Sequence, residues 1–278
     1  ELQKKGLLED REGAKWFKSR SFGDEKDRVI ERSNGEYTYF ASDTAYHYDK
    51  FQRKFDSIVN IWGSDHHGYI PRVRAALRGL DFDDKALKVI LIQFASLYRG
   101  GQKVSMSTRS GEFVSLRDLI DEVGVDASRF FYSLRKNDQH LDFDLDLAKE
   151  KSNENPVYYV QYAHARCSSI IKKWGGIPHS LVTEETHHTL DLEDELVLIQ
   201  KMDEFTELIK DIAKDFSVHN MTNYLRELAT ILHRYYTSTK VLGVEEKICK
   251  SRIMLILSVK QVLKNGLSLL GASAPNKM

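Results

Sequence analysis

The chain has 278 residues, 41% hydrophobic and 29% charged, a balance that fits one large or two medium domains with real cores. No apolar run is long enough to span a membrane, none of the opening residues reads as a signal peptide, and a formal net charge of zero gives no general pull toward nucleic acid. Cys167 and Cys249 fall on expected helix faces and read as buried, reduced thiols of a cytoplasmic protein rather than as a disulfide or metal site. The chain opens on Glu1 instead of Met, as a fragment of a longer protein would.

In chain order, Leu7-Leu8 and Trp16-Phe17 flank Gly13 as a hairpin, and Tyr37 to Phe40 follows the turn Ser33-Asn34-Gly35 as a strand. Ile58 to Trp62 is the continuous apolar run of a buried parallel strand, ending at Gly63. A helix starts near Pro71, Asp83 caps a second through Leu97, and Ser115 with Asp118 opens a short one ending at Gly124. Asp126 caps the next. Strands alternating with helices predict part of a parallel α/β sheet, a Rossmann-like half-domain over residues 1–150.

The remainder, 151–278, is predicted all-helical, so helix predominates overall. Asn155-Pro156 starts a helix carrying Val160, Ala163, Cys167, Ile170 and Trp174 at helical spacing, stopped by Gly175-Gly176. Leu192, Leu196, Ile199, Leu208, Ile212 and Phe216 mark a second helix; Tyr224, Leu228, Ile231 and Tyr235 a third. Ile253, Ile256, Leu263, Leu267 and Leu270 mark the fourth, closed by Gly271 and Pro275. Four amphipathic helices of this length form a bundle. Charge is unevenly spread along it. Eleven acids against three lysines in 184–216 give −8, and nine basic residues against three acids in 217–278 give +6. On charge alone these read as neighbouring solvated faces.

Three clusters in the first half carry candidate chemistry. Tyr39 and Asp43 sit where a strand end runs into a helix, the edge at which open α/β sheets bind ligands; a helix cap beside core aromatics is the plainer reading. Gly63-Ser64-Asp65-His66-His67-Gly68 follows the buried strand: its glycines allow close backbone approach, and its acid can accept from ribose hydroxyls. Asp65, His66 and His67 are also metal-ligand types, although adjacent residues rarely face one ion. Lys103 to Gly111 joins two cations with hydroxyls, a composition that can clamp phosphates or simply form a polar turn. In the bundle, Tyr158, Tyr159, Tyr162, His164 and Arg166 concentrate on one helix, and Tyr235-Tyr236 recurs on another. Aromatics stack on unpaired bases, but at helical spacing they are more often core.

Taken together, the runs Gly-Glu-Tyr-Thr-Tyr-Phe-Ala-Ser-Asp-Thr-Ala-Tyr-His (35–47) and Asn-Ile-Trp-Gly-Ser-Asp-His-His-Gly-Tyr-Ile-Pro-Arg-Val (60–73) resemble bacterial arginyl-tRNA synthetases. So do Val-Ser-Met-Ser-Thr-Arg-Ser-Gly-Glu-Phe-Val-Ser-Leu-Arg-Asp-Leu (104–119), Phe-Asp-Leu-Asp-Leu-Ala-Lys-Glu (143–150), Asn-Pro-Val-Tyr-Tyr-Val-Gln-Tyr-Ala-His-Ala-Arg (155–166) and the ending Ser-Ala-Pro-Asn-Lys-Met. The likeness holds in order over essentially the whole chain. It implies a class I enzyme that joins arginine to its tRNA while converting ATP to AMP and pyrophosphate. Its partners would be tRNA(Arg), L-arginine and ATP, with Mg2+ in the full enzyme, no bound structural metal, no membrane, and a monomeric state.

By this resemblance Tyr39 and Asp43 face the arginine substrate, whose planar cation wants carboxylate and hydroxyl acceptors. Gly63, Asp65, His66 and Met106 line the ATP site, and Tyr162, Arg166, Tyr236 and Met278 are the tRNA-binding candidates. Ser105 to Arg109 occupies the place of the family's KMSKS loop, with Ser105 and Thr108 replacing both lysines. Lys103, Arg109 or a lysine elsewhere then supplies the catalytic charge. The family's HIGH-type histidine motif and its N-terminal tRNA-contacting domain have no counterpart here, so the isolated chain is expected to lack aminoacylation activity. Two other classes compete: a non-catalytic tRNA-binding module, and a metal-dependent phosphoesterase built on Asp65, His66 and His67.

Overall fold

The computed structural model describes residues 1–104, 114–175 and 190–278, and these form two compact units. The first comprises Glu1–Phe94 with Asn137–Gln139. Strands β1 (Leu8–Arg11) and β2 (Ala14–Phe17) pair antiparallel, Leu8 opposite Phe17, through the two-residue turn Glu12-Gly13. Both turn residues have positive φ, 53° and 77°, as a turn matching the strand twist requires. β3 (Arg28–Glu31), absent from the sequence expectation, completes this sheet beside β2.

Tyr37 to Phe40 does not form the expected strand. Only Tyr37 makes a bridge, to Glu31, and helix α1 (Tyr39–Gln52) begins two residues later. The Thr38 hydroxyl explains the switch, accepting from the Ala41 amide as an N-cap and donating to the Val29 carbonyl at 2.8 Å. β4 (Ile58–Gly63) is the expected strand but is not buried throughout, since Ile58 and Asn60 are buried while Val59 and Ile61 are exposed. α2 (Ile70–Gly79) starts with Pro71 in its first turn. Asp83 caps only the short turn Asp84–Ala86. The expected helix through Leu97 is instead β5 (Leu87–Ile92), parallel to β4 in register Ile58–Leu87, followed by β6 (Ala95–Arg99). Two cores meet on α2: Phe17, Phe40 and Ala76 on one side, Ile58, Val73, Leu77 and Leu87 on the other.

The second unit comprises Ala95–Lys136 and His140–Met278. β6 lies between β7 (Gln102–Lys103), antiparallel, and β8 (Leu141–Asp144), parallel. Short helices α3 (Leu116–Val123), α4 (Val125–Tyr132) and α5 (Leu145–Lys149) accompany this sheet. Ser115 and Asp118 make the expected reciprocal capping box. Asp126 is not a cap: Gly124 holds that position, and the Asp126 carboxylate accepts from Gln161 at 2.7 Å and from the Ser273 amide at 2.9 Å.

The bundle is α6 (Pro156–Trp174), α7 (Glu193–Asp215), α8 (His219–Ser238) and α9 (Glu246–Leu269). Asn155 caps α6, and Gly175 ends it in the left-handed conformation. Both cysteines are buried and unpaired. On α7 the inward stripe is Glu195, Leu198 and Phe205, while the expected core residues Leu196 and Ile199 face solvent. The expected Leu208 and Ile212 do pack against the core, so the phase was wrong only in the first turns, where one inward position is a carboxylate. On α9, a Cβ at Gly266 would sit 2.6 Å from a Leu225 methyl of α8, and Leu225 is fully buried. Gly266→Ala is therefore expected to lose about 1–3 kcal/mol to overpacking, offset by about 1 kcal/mol of helix propensity. Urea unfolding measures the net loss; a variant more stable than the parent would contradict this packing.

Candidate functional site

The first unit builds a groove at the C-terminal end of β4. Capping by Thr38 places Tyr39 in the first turn of α1 and Asp43 one turn later on the same face. β4 delivers Ile61, Trp62 and Gly63, and the turn Ser64–Tyr69 brings His66 and Tyr69 back toward α1. Tyr39, Asp43, Gly63 and His66 thus line one groove of about 790 Å³ together with Trp62 and Tyr69. Four of the sequence candidates converge. Tyr39 is 90% exposed in it, a tyrosine with no packing role.

Asp43 has support on two sides. Tyr69, which the sequence reading did not single out, comes close enough to its carboxylate to feel its charge. Burial, and then the charge of Asp43, push the Tyr69 phenol up to about 12, so at neutral pH it keeps its proton. Trp62 meets the Tyr69 ring edge-on at 5.9 Å, and the Arg72 guanidinium lies 5.3 Å from that ring. The second support is backbone. Lys50 donates to Asn60 Oδ1 at 2.8 Å, which leaves the Asn60 amide nitrogen to donate to His47 Nε2 at 2.6 Å. His47 Nδ1–H then donates to the Asp43 carbonyl at 2.8 Å. Burial holds the His47 pKa below its ordinary value, keeping this neutral tautomer in place. A buried polar Asn60 inside the apolar run Ile-Val-Asn-Ile-Trp was the available signal for this relay.

Gly63 does not need to be glycine for its backbone or packing: its φ is −63°, and a Cβ would meet only the exposed Asp65 carboxylate, which can swing away. Asp65 is outside the residues lining the groove; it is exposed and lies 3.6 Å from His66 Nε2. His67 Nδ1 contacts the Ser64 carbonyl at 3.3 Å, and among the described residues no group of three or more His, Cys, Asp or Glu gathers to hold a metal ion. Chemically, the groove offers one carboxylate, three phenols (Tyr39, Tyr46 and Tyr69) and an aromatic wall, which suits a planar cation. Lys103 lies in the second unit, exposed at the end of β7. Met106 and Arg109 lie outside the described residues.

In the bundle, Tyr162 and Arg166 of α6 meet Tyr236 of α8. The Arg166 guanidinium carbon is 4.7 Å from the Tyr162 ring centroid and 5.0 Å from that of Tyr236. Tyr158 stacks on Tyr162 with ring centroids 6.3 Å apart. Met278 is exposed at the end of a tail tied elsewhere on α6: His164 Nδ1 donates to the Pro275 carbonyl and the Ser168 hydroxyl to Asn276. His164 and Ser168 lie two residues, about 200° of helix rotation, beyond Tyr162 and Arg166 respectively. The fourth candidate's tail is thus anchored on another side of the helix.

Comparison with known proteins gives a consistent result. Residues 1–174 match the family described as tRNA synthetases class I (R), catalytic domain, and residues 160–278 match the DALR anticodon binding domain. The whole chain is 57% identical to an arginine–tRNA ligase of Nitrosomonas europaea and 56% to one of Nitrosospira multiformis, covering 47% and 48% of those proteins. The chain thus spans about half the length of the curated relatives it matches. Among solved structures, an arginyl-tRNA synthetase from Campylobacter jejuni superposes with a TM-score of 0.92 at 35% identity, over all of this chain and 60% of that one. Arginyl-tRNA synthetase of Thermus thermophilus shares the fold, with a TM-score of 0.81 at 22% identity over all of this chain and 57% of that one.

Proposed function

Since the chain belongs to the class I (R) tRNA synthetase family, we propose that it forms part of an enzyme joining arginine to tRNA(Arg) at the expense of ATP. The observation that carries this is the groove in which Asp43, Tyr39 and a protonated Tyr69 converge beside Gly63 and His66. Asp43 and Tyr39 would receive the arginine guanidinium. The carboxylate pairs with the cation, and the exposed phenol offers a ring face or an acceptor oxygen. Gly63, Asp65 and His66 would meet the nucleoside part of ATP, and Met106 with Lys103 or Arg109 would serve its phosphates. Mg2+ would arrive on the triphosphate oxygens and neutralise their charge.

Val59 and Ile61 are exposed on β4, whereas strands of parallel sheets are ordinarily covered on both faces. That supports a site whose other side lies in protein beyond these residues. The proposal assigns 1–150 to catalysis and 151–278 to tRNA, in the cytoplasm; among the described residues no helix is long and apolar enough to cross a membrane.

Two measurements test it. The isolated chain should bind arginine tRNA, and a changed anticodon should weaken filter binding by about tenfold, the order of one lost base-stacking contact. Equal affinity for both RNAs would sink anticodon reading. The isolated chain should form no arginyl-adenylate, whereas adding the missing part of a relative's catalytic domain should give ATP-dependent charging. Retained tRNA binding without any charging by the folded pair would leave a tRNA-binding module as the reading.

A further inference from the structure

Arg166 is more constrained than a surface arginine on an RNA-binding face needs to be. Besides the two tyrosine rings that flank it, its Nη2 donates to the Tyr162 hydroxyl at 2.8 Å and its Nη1 lies 3.0 Å from His233 Nδ1. A guanidinium has only donors, so His233 Nδ1 must be an unprotonated acceptor and Nε2 must carry the proton. That Nε2 is buried and has no hydrogen-bond partner among the described residues. An orphaned buried donor is costly, and here it accompanies an acceptor aimed at one arginine. Tyr159 and Tyr162 of α6 pack their rings 4.9 Å and 5.6 Å from the imidazole, fixing its plane. Burial and then the Arg166 charge bring the His233 pKa down to about 4, so the imidazole stays neutral through the physiological range. Two of five guanidinium N–H groups are used, and the other three have no partner among the described residues.

We propose that His233 is the positioning residue of the RNA-binding face: as a neutral acceptor it holds Arg166 between Tyr162 and Tyr236. The guanidinium's remaining N–H edge is thereby presented to an acceptor oxygen of an unpaired nucleotide. This rests on the reading of the bundle as a tRNA-binding domain. The recognised chemistry is an oxygen acceptor beside an unstacked base, which the flanking tyrosines can receive.

The test uses the 278-residue chain and a hairpin RNA carrying the anticodon loop of an arginine tRNA. His233→Leu should weaken binding about tenfold, and His233→Asn, whose side-chain oxygen can replace Nδ1, should restore it to within about twofold. In an Arg166→Ala background His233→Leu should add nothing. By NMR, the His233 imidazole should titrate below pH 5 in the parent and move up toward the ordinary value of about 6.5 in Arg166→Ala. The groups facing it are Arg166, Tyr159 and Tyr162, and only the first carries charge at these pH values. His233→Met replaces the leucine variant if that one does not fold, as judged by circular dichroism.

Unchanged binding by His233→Leu, with Arg166→Ala weakened, would overturn the proposal while leaving the RNA face intact. So would an equal loss in both backgrounds, which marks a merely structural histidine. If neither Tyr162→Ala nor Arg166→Ala weakens binding, the RNA-face reading itself falls.

Discussion

Glu195→Ala is expected to destabilise the helical bundle by about 3–5 kcal/mol, the usual result of removing one partner of a buried ion pair. Glu195 is 0% exposed, and three donors converge on it. Arg252 Nε reaches Oε1 at 2.7 Å, the Tyr235 hydroxyl reaches the same oxygen at 3.1 Å, and the Leu192 amide reaches Oε2 at 3.1 Å. The alanine variant leaves a nearly buried guanidinium, a fully buried phenol and a helix-terminal N–H without their acceptor. Each loses a partner that water cannot easily replace. Glu195→Gln keeps the shape and one acceptor oxygen but removes the charge, so it should cost less, about half as much. Urea unfolding followed by helical circular dichroism gives both numbers. A loss below about 1 kcal/mol for the alanine variant would mean the pair is solvated.

Glu195 also shows why the helix phase was misread. It follows Glu193 and Asp194 in a run that looks like a solvated helix start, favourable beside the positive end of the helix dipole. Only its three-dimensional neighbours, Tyr235 and Arg252, make the third acid an inward residue. Features set by adjacent residues were legible: the hairpin about Gly13, the Ser115–Asp118 box, the Asn155-Pro156 start and the Gly175 stop. The stretch from Leu87 to Leu97 was not, because an apolar run of that kind suits either period. Pairing with Ile58–Gly63, some thirty residues earlier, decided for strand.

The same division holds at the site. Tyr39 with Asp43, and Gly63 with His66, stood out as strand-end motifs, and they share a groove. Tyr69 lay inside a recognised run yet gave no sign of reaching back to Asp43. The Asn60–His47 relay and the Arg166–His233 contact span 13 and 67 residues, so only the fold reveals them.

Asp43→Ala is expected to lower kcat/KM for arginine by about 10³-fold or more in the enzyme that contains this chain, with KM for ATP little changed. Sites built to bond a polar substrate group lose about 10⁴–10⁵ when that pairing is missing, and solvent entering an open groove softens the loss. Asp43→Asn separates two contributions. It keeps an acceptor oxygen near the guanidinium but loses the charge, and its amide protons face the protonated Tyr69 hydroxyl. Its loss should therefore approach that of alanine. Tyr69→Phe leaves the charge and removes the neighbouring phenol O–H, which can donate to the carboxylate once arginine is bound, so its cost should be nearer tenfold, as for one charge-assisted bond. The order Asp43→Ala, then Asp43→Asn, then Tyr69→Phe follows from a carboxylate that binds the cation and a phenol that only aims it. Pyrophosphate exchange at varied arginine gives the three values. Should Tyr69→Phe cost as much as Asp43→Ala, the phenol would be touching arginine itself. An Asp43→Ala enzyme within about threefold of the parent would remove Asp43 from the arginine site altogether.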